Sequence, residues 1–275
     1  MLEWLSMLNI FRSSQQSTRS RSSFYKELDD EINHFKHIKV ALEEIGDLER
    51  RIRCVLESVK AVHEATALFR TGQLTPEAFA AEFSGQTQSE TFFANHFQLD
   101  IRRIANHYYI PVLLSPNEKI DFIRSVIHVE SEVQFLGQLE EYLRRKDHQF
   151  KLFDWWLFSR VDEKSDNITI PYYYPFENKI YNFKPDFIFW LKRSERYHIV
   201  FIDPKGTGRT EYEHKVDGYR ALFEENGQPR LFAYQGLQVS VHVFLYTPDR
   251  EFLAEGYKSY WFDQIEQVLD SLLSA

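Results

Sequence analysis

Two short runs, FIFWL at 187–191 and HIVFI at 198–202, lie six residues apart. Each is bounded by a proline, Pro185 before the first and Pro204 after the second. Runs this short, rich in aromatic and β-branched residues and closed by breakers, read as buried strands rather than helices. They commit the second half of the chain to a sheet. Neighbouring segments agree. Leu152–Ser159 (LFDWWLFS) is another such run, and Val239–Tyr246 alternates like a strand. Ile168–Tyr174 contains Pro171, which confines it to an edge or an interrupted strand. Amphipathic helices are expected over about 121–146, with a break near Glu130, over Glu211–Glu225 with Asn226-Gly227 as its stop, and over Tyr260–Leu273.

The first hundred residues have a different grain. Residues 13–23 (SSQQSTRSRSS) lack apolar periodicity and read as a linker. From Ile32 to Val62 apolar residues recur at steps of three and four, a continuous helical seam. It can pack within the chain, which is the default, or form a coiled-coil homo-oligomer. Thr75-Pro76-Glu77 is a helix start, with a capping hydroxyl, proline at the first helical position and then an acid. Helices are expected over 76–83 and about 90–108. The expected organisation is therefore a short segment and linker (1–23), an all-helical domain (24–108) and an α/β domain (109–275) with a mixed sheet flanked by helices.

Composition removes several classes. Cys54 is the single cysteine among 275 residues, which excludes an internal disulfide or a cysteine-built metal cage. No apolar run approaches the roughly 20 residues of a membrane-spanning helix, and Glu3 spoils a secretory signal at the N-terminus; a cytoplasmic location is expected. The net charge of −8 supplies little long-range attraction for nucleic acid, so such a substrate would need a local patch or a delivering partner.

The chemistry-bearing pattern flanks the two strands. Lys184-Pro185-Asp186 opens the first and Asp203-Pro204-Lys205 closes the second. If the strands pair as a hairpin, the end of one lies beside the start of the other and the two carboxylates meet at a corner of the sheet. Two carboxylates offer hard oxygen ligands suited to Mg²⁺ or Mn²⁺. A lysine beside them can orient or help deprotonate an attacking water and balance charge on a phosphate. The same short pattern also suits a turn-capping Asp186 and a solvated Lys205.

The segments FDWWLFSRVDEKSDNITIPYY (153–173), KPDFIFWLK (184–192), YHIVFIDPKGT (197–207) and KVDGY (215–219) resemble, in this order, the C-terminal nuclease region of type III restriction-enzyme motor subunits and related helicase–nuclease proteins. That region belongs to the PD-(D/E)xK nuclease superfamily. The resemblance implies a restriction-endonuclease-like fold and a Mg²⁺-dependent phosphodiesterase acting on DNA in restriction-like defence or DNA processing. Asp186 and Asp203 then correspond to the metal-binding acids and Lys205 to the catalytic lysine. One departure is large: the motor subunits carry an ATPase, and no G-x-x-x-x-G-K-[ST] occurs in this sequence. An ATPase or helicase would have to be a separate partner. The competing reading is a non-catalytic assembly or DNA-binding subunit that uses a nuclease-like scaffold.

Many nucleases of this superfamily add a glutamate from the helix before the sheet. At about 100° per residue, Leu136, Leu139 and Leu143 fall within about 40° of Glu132, whereas Glu130 falls on the opposite side. A carboxylate in an apolar stripe needs a partner or a metal, which selects Glu132 as a third metal ligand and catalytic residue. Alternatively the helix begins at Ser131 and Glu132 merely complements its dipole. Lys215 and Arg209 are candidates for contacts to DNA phosphates. Tyr219, four residues after Lys215, fits the core stripe of its helix better.

Overall fold

The computed structural model describes residues 64–65, 67–69, 71–81, 88–94, 97–107, 112–115, 126–161, 168–204, 212–234, 236–248 and 253–274. The expected linker at 13–23 and the seam at 32–62, with the oligomer it suggests, lie outside these residues, as do Lys205 and Arg209. The chain divides into two compact units, 1–129 with 162–167, and 130–161 with 168–275.

In the first unit, α1 (Pro76–Ala81) starts as expected: the Ala78 N–H donates to the Thr75 hydroxyl at 3.2 Å. The all-helical expectation fails after it. Instead of a helix over 90–108 there is a hairpin of β1 (Gln88–Ala94) and β2 (Phe97–Arg103), continued by β3 (Val112–Leu114) and β4 (Val126–Ile127). The four strands lie in the order β1-β2-β3-β4, with only β3 and β4 parallel. The reason is visible in FQLDIRR. Its apolar residues fall at every second position, and buried Leu99 and Ile101 share a face while Asp100 and Arg102 pair at 3.2 Å on the other.

The second unit is a mixed α/β layer structure. Its elements run α2 (Glu130–Arg144), β5 (Trp155–Arg160), β6 (Ile170–Tyr174), β7 (Lys179–Phe183), β8 (Phe187–Arg193), β9 (Arg196–Pro204) and α3 (Tyr212–Phe223). They continue through β10 (Glu224–Glu225), β11 (Gln228–Pro229), β12 (Phe232–Tyr234), β13 (Leu237–Tyr246), β14 (Trp261–Phe262) and α4 (Ile265–Ser274). Six strands form the main sheet, in the order β12-β13-β9-β8-β5, with β14 beside β13. β8 lies between β5 and β9 and is antiparallel to both. β9 and β13 are parallel, as a connection through a helix allows.

Alternation along the strands sorts the two faces. On one, Phe135 of α2 packs its ring 5.0 Å from Phe187, 5.5 Å from Tyr246 and 6.2 Å from Phe262. On the other lies α3: Tyr219 is buried and its hydroxyl donates to the Val241 carbonyl at 2.9 Å, and Tyr212 packs edge-on against Trp261. With both faces covered, β8 and β9 are apolar almost throughout, which is why they read as unbroken runs rather than alternating ones.

α3 also holds a separate two-stranded ribbon, β6 with β7. Gly218 makes this approach close: a Cβ there would lie 2.5 Å from the Pro171 carbonyl oxygen and 2.7 Å from the Tyr172 Cβ. Asn226-Gly227 does not end α3, which stops at Phe223. The pair instead turns the β10–β11 hairpin, with φ of 53° and 73°, the conformation a two-residue type I′ turn demands.

Candidate active site

The corner foreseen from the sequence is formed by the ends of β8 and β9. Phe187 pairs with Ile202 as the last pair of the ladder, and Asp186 precedes the one as Asp203 follows the other. The neighbouring ladder also extends this far, because the Val161 N–H donates to the Asp186 carbonyl at 2.7 Å. Asp203 is further enclosed by β13, where Leu245 lies beside it in register, and it is 0% exposed. Asp186 is half-buried. Burial of this kind takes a carboxylate out of water, wholly for Asp203 and in part for Asp186.

Glu132 reaches the same end of the sheet by another route. The Ser131 hydroxyl in the first turn of α2 donates to the Pro204 carbonyl at 3.0 Å, tying the start of that helix to the end of β9. Glu132 is buried, as its place in the apolar stripe implies, and its Oε2 lies 3.5 Å from Nε of Arg160 at the end of β5. Strand alternation puts Arg160 and α2 on the face opposite Asp203. Arg160 went unnoticed in the sequence, where nothing links it to a glutamate 28 positions earlier.

Carboxylates are hard oxygen ligands of the kind that divalent cations such as Mg²⁺ take. Among the described residues, no group of three or more His, Cys, Asp or Glu side chains stands ready to hold a metal by itself. Lys215 packs its ammonium 5.0 Å from the centre of the Phe183 ring, a cation–π contact beside the strand that leads into Asp186.

A second polar cluster lies inside the sheet. Ser240 Oγ is 2.9 Å from His198 Nδ1 and 2.8 Å from His242 Nε2, and the two ring nitrogens are 3.4 Å apart. All three residues are buried. Burial, helped by the Arg196 and Arg193 charges, lowers the His198 pKa to about 4; burial and the neighbouring His198 lower that of His242 to about 3. Both rings are neutral near pH 7 and serve as a hydrogen-bonded pin between β9 and β13.

No helix among the described residues is long and apolar enough to cross a membrane. Compared with known proteins, the chain matches no curated protein and no solved structure. Residues 125–236, a stretch that holds Glu132, Asp186, Asp203, Lys205, Arg209 and Lys215, match the model of the YagJ family.

Proposed function

We propose that this protein is a divalent-metal-dependent nuclease that hydrolyses DNA phosphodiester bonds on a restriction-endonuclease-like sheet. The observation that supports the reading is the register of β8 and β9, whose last pair, Phe187 with Ile202, is flanked by Asp186 and buried Asp203. Lys205 follows two residues later in the sequence. Mg²⁺, or Mn²⁺ in its place, would be held by Asp186 and Asp203, with Glu132 as a third candidate ligand, and when bound it stabilises the negative charge that builds on the phosphate.

The chain's own residues do the rest. Asp203, locked between two neighbouring strands, is a fixed anchor that loses no side-chain freedom during the reaction. Lys205 orients the attacking water, helps draw off the proton that ends on the leaving oxygen, and balances charge on the phosphate. Arg160 fixes the Glu132 carboxylate at the same end of the sheet. Lys215 and Arg209 contact the phosphates that flank the scissile one. Water's oxygen joins phosphorus and one P–O ester bond breaks, leaving a phosphate monoester and a hydroxyl. A chain of net charge −8 with no nucleotide-binding loop of its own is suited to work with an ATPase or helicase that delivers DNA in a restriction-like or DNA-processing system.

The test is cleavage of supercoiled plasmid at low salt with Mg²⁺, with and without EDTA. Lys205→Ala should lower the rate by roughly 100-fold or more, the scale of a lost proton-transfer group. Equal rates for wild type and Lys205→Ala would refute the assignment. A folded wild-type chain that never cuts would favour the scaffold reading.

A further inference from the structure

Four of the eight exposed large apolar side chains among the described residues fall within nine positions of one another, on the β6–β7 ribbon. Phe176 at its turn is 83% exposed, Ile180 73% and Tyr173 54%, with Tyr181 completing the group. An isolated two-stranded ribbon is marginal by itself, and apolar groups clustered on its surface are a liability unless something covers them. Here the ribbon's inner face packs on α3 at Gly218. Its outer face presents Tyr173 directly opposite Ile180. The Phe176 ring leans on Tyr174 at 5.4 Å and lies 6.3 Å from His214.

We propose that the β6–β7 ribbon binds unpaired nucleotides of the substrate, with Phe176 and Tyr173 stacking on bases while adjacent lysines meet the phosphates. The inference rests on the nuclease reading of the neighbouring site and names the form of nucleic acid that site receives. Three observations select this occupant. The exposed groups are mostly aromatic, and rings offer the flat faces that bases stack on regardless of sequence. Cations lie nearby: Lys184 follows β7 and Lys215 of α3 sits over Phe183, while Lys179 pairs with Glu177 at 3.2 Å. Finally, the ribbon feeds straight into the candidate site, since Phe183 ends β7 three residues before Asp186. Duplex DNA hides its base faces, so the ribbon should favour single strands, junctions or frayed ends.

The test measures fluorescence anisotropy of a labelled oligothymidine of about 20 nucleotides, longer than one such site needs. A duplex of equal length is the comparison, and the full chain is used in EDTA at low salt. The wild type should bind the single strand more tightly than the duplex. Phe176→Ala and Tyr173→Ala should each weaken single-strand binding roughly 5- to 100-fold, the range for one lost base stack. Phe176→Trp should retain it, and circular dichroism should show all variants folded. Equal affinity for the two DNAs, no oligothymidine binding, or unchanged binding by the alanine variants would overturn the proposal. So would a wild-type dimer in sedimentation velocity that Phe176→Ala dissolves without altering oligothymidine binding, since the ribbon would then be a self-association surface. Because binding is read without metal, the two readings fail separately. If Lys205→Ala cuts normally while Phe176→Ala loses oligothymidine, the catalytic assignment falls and the ribbon assignment stands.

Discussion

Acid should unfold the second unit by way of the two histidines buried between β9 and β13. His198 has a folded-state pKa of about 4 against 6.5 for the exposed side chain. Between those values the unfolded chain takes up a proton that the folded chain refuses, so stability is fully present above pH 6.5 and is lost as pH falls through 6.5 toward 4. At pH 5 the loss from His198 works out to about 2 kcal/mol, and it approaches about 3 kcal/mol near pH 4, from 1.36 kcal/mol per pKa unit. His242 acts in the same direction over a window reaching to about pH 3. With ring nitrogens 3.4 Å apart the two protonations oppose each other, so both histidines together cost less than two independent groups only where the unfolded chain keeps them close. Urea unfolding followed by circular dichroism at pH 7 and pH 5 measures this. His198→Asn with His242→Gln removes both titrating groups, and its stability should fall between those pH values by about 2 kcal/mol or more less than that of the wild type. Carboxylates titrate equally in both proteins and cancel. An identical pH dependence for wild type and double variant would refute the argument.

Two further outcomes follow from packing and charge. Gly218→Ala gains about 1 kcal/mol of helix propensity, but its Cβ would sit 2.5 Å from the Pro171 carbonyl, where overpacking costs about 1–3 kcal/mol. The variant should be less stable to urea, and its ribbon residues should show faster amide exchange; a more stable protein would contradict the close approach of α3. Arg160→Met should destabilise by about 3 kcal/mol, because it leaves the buried Glu132 carboxylate without its arginine, and adding Glu132→Gln should recover most of that loss in the same denaturation assay.

What the sequence disclosed and what it hid have physical causes. β8 and β9 were legible because both faces are covered, so FIFWL and HIVFI are apolar without interruption and end at prolines. Their antiparallel pairing was legible from the short connection between them. The burial of Glu132 was legible from its angular position on α2, but its arginine was not, because Arg160 comes from another element and only the fold brings them together. The hairpin at 88–103 was missed because TFFANHFQLDI holds enough apolar residues to satisfy a helical reading, and the alternation in 97–101 lies within one strand's length. β7 escaped notice because KIYNF alternates weakly and is exposed at four of its five positions. Asn226-Gly227 was recognised as a turn but attached to the wrong element: it suits a helix end as well as a hairpin, and only the pairing of Glu225 with Gln228 decides.

The central claim is that Asp186 and Asp203 together hold a divalent cation. Calorimetric titration of Mn²⁺ into the wild type, Asp186→Ala and Asp203→Asn, each shown folded by circular dichroism, tests it most directly. Saturable binding by the wild type that both variants lose would agree with the account; a wild type that takes up no Mn²⁺, or variants that bind it as the wild type does, would contradict it.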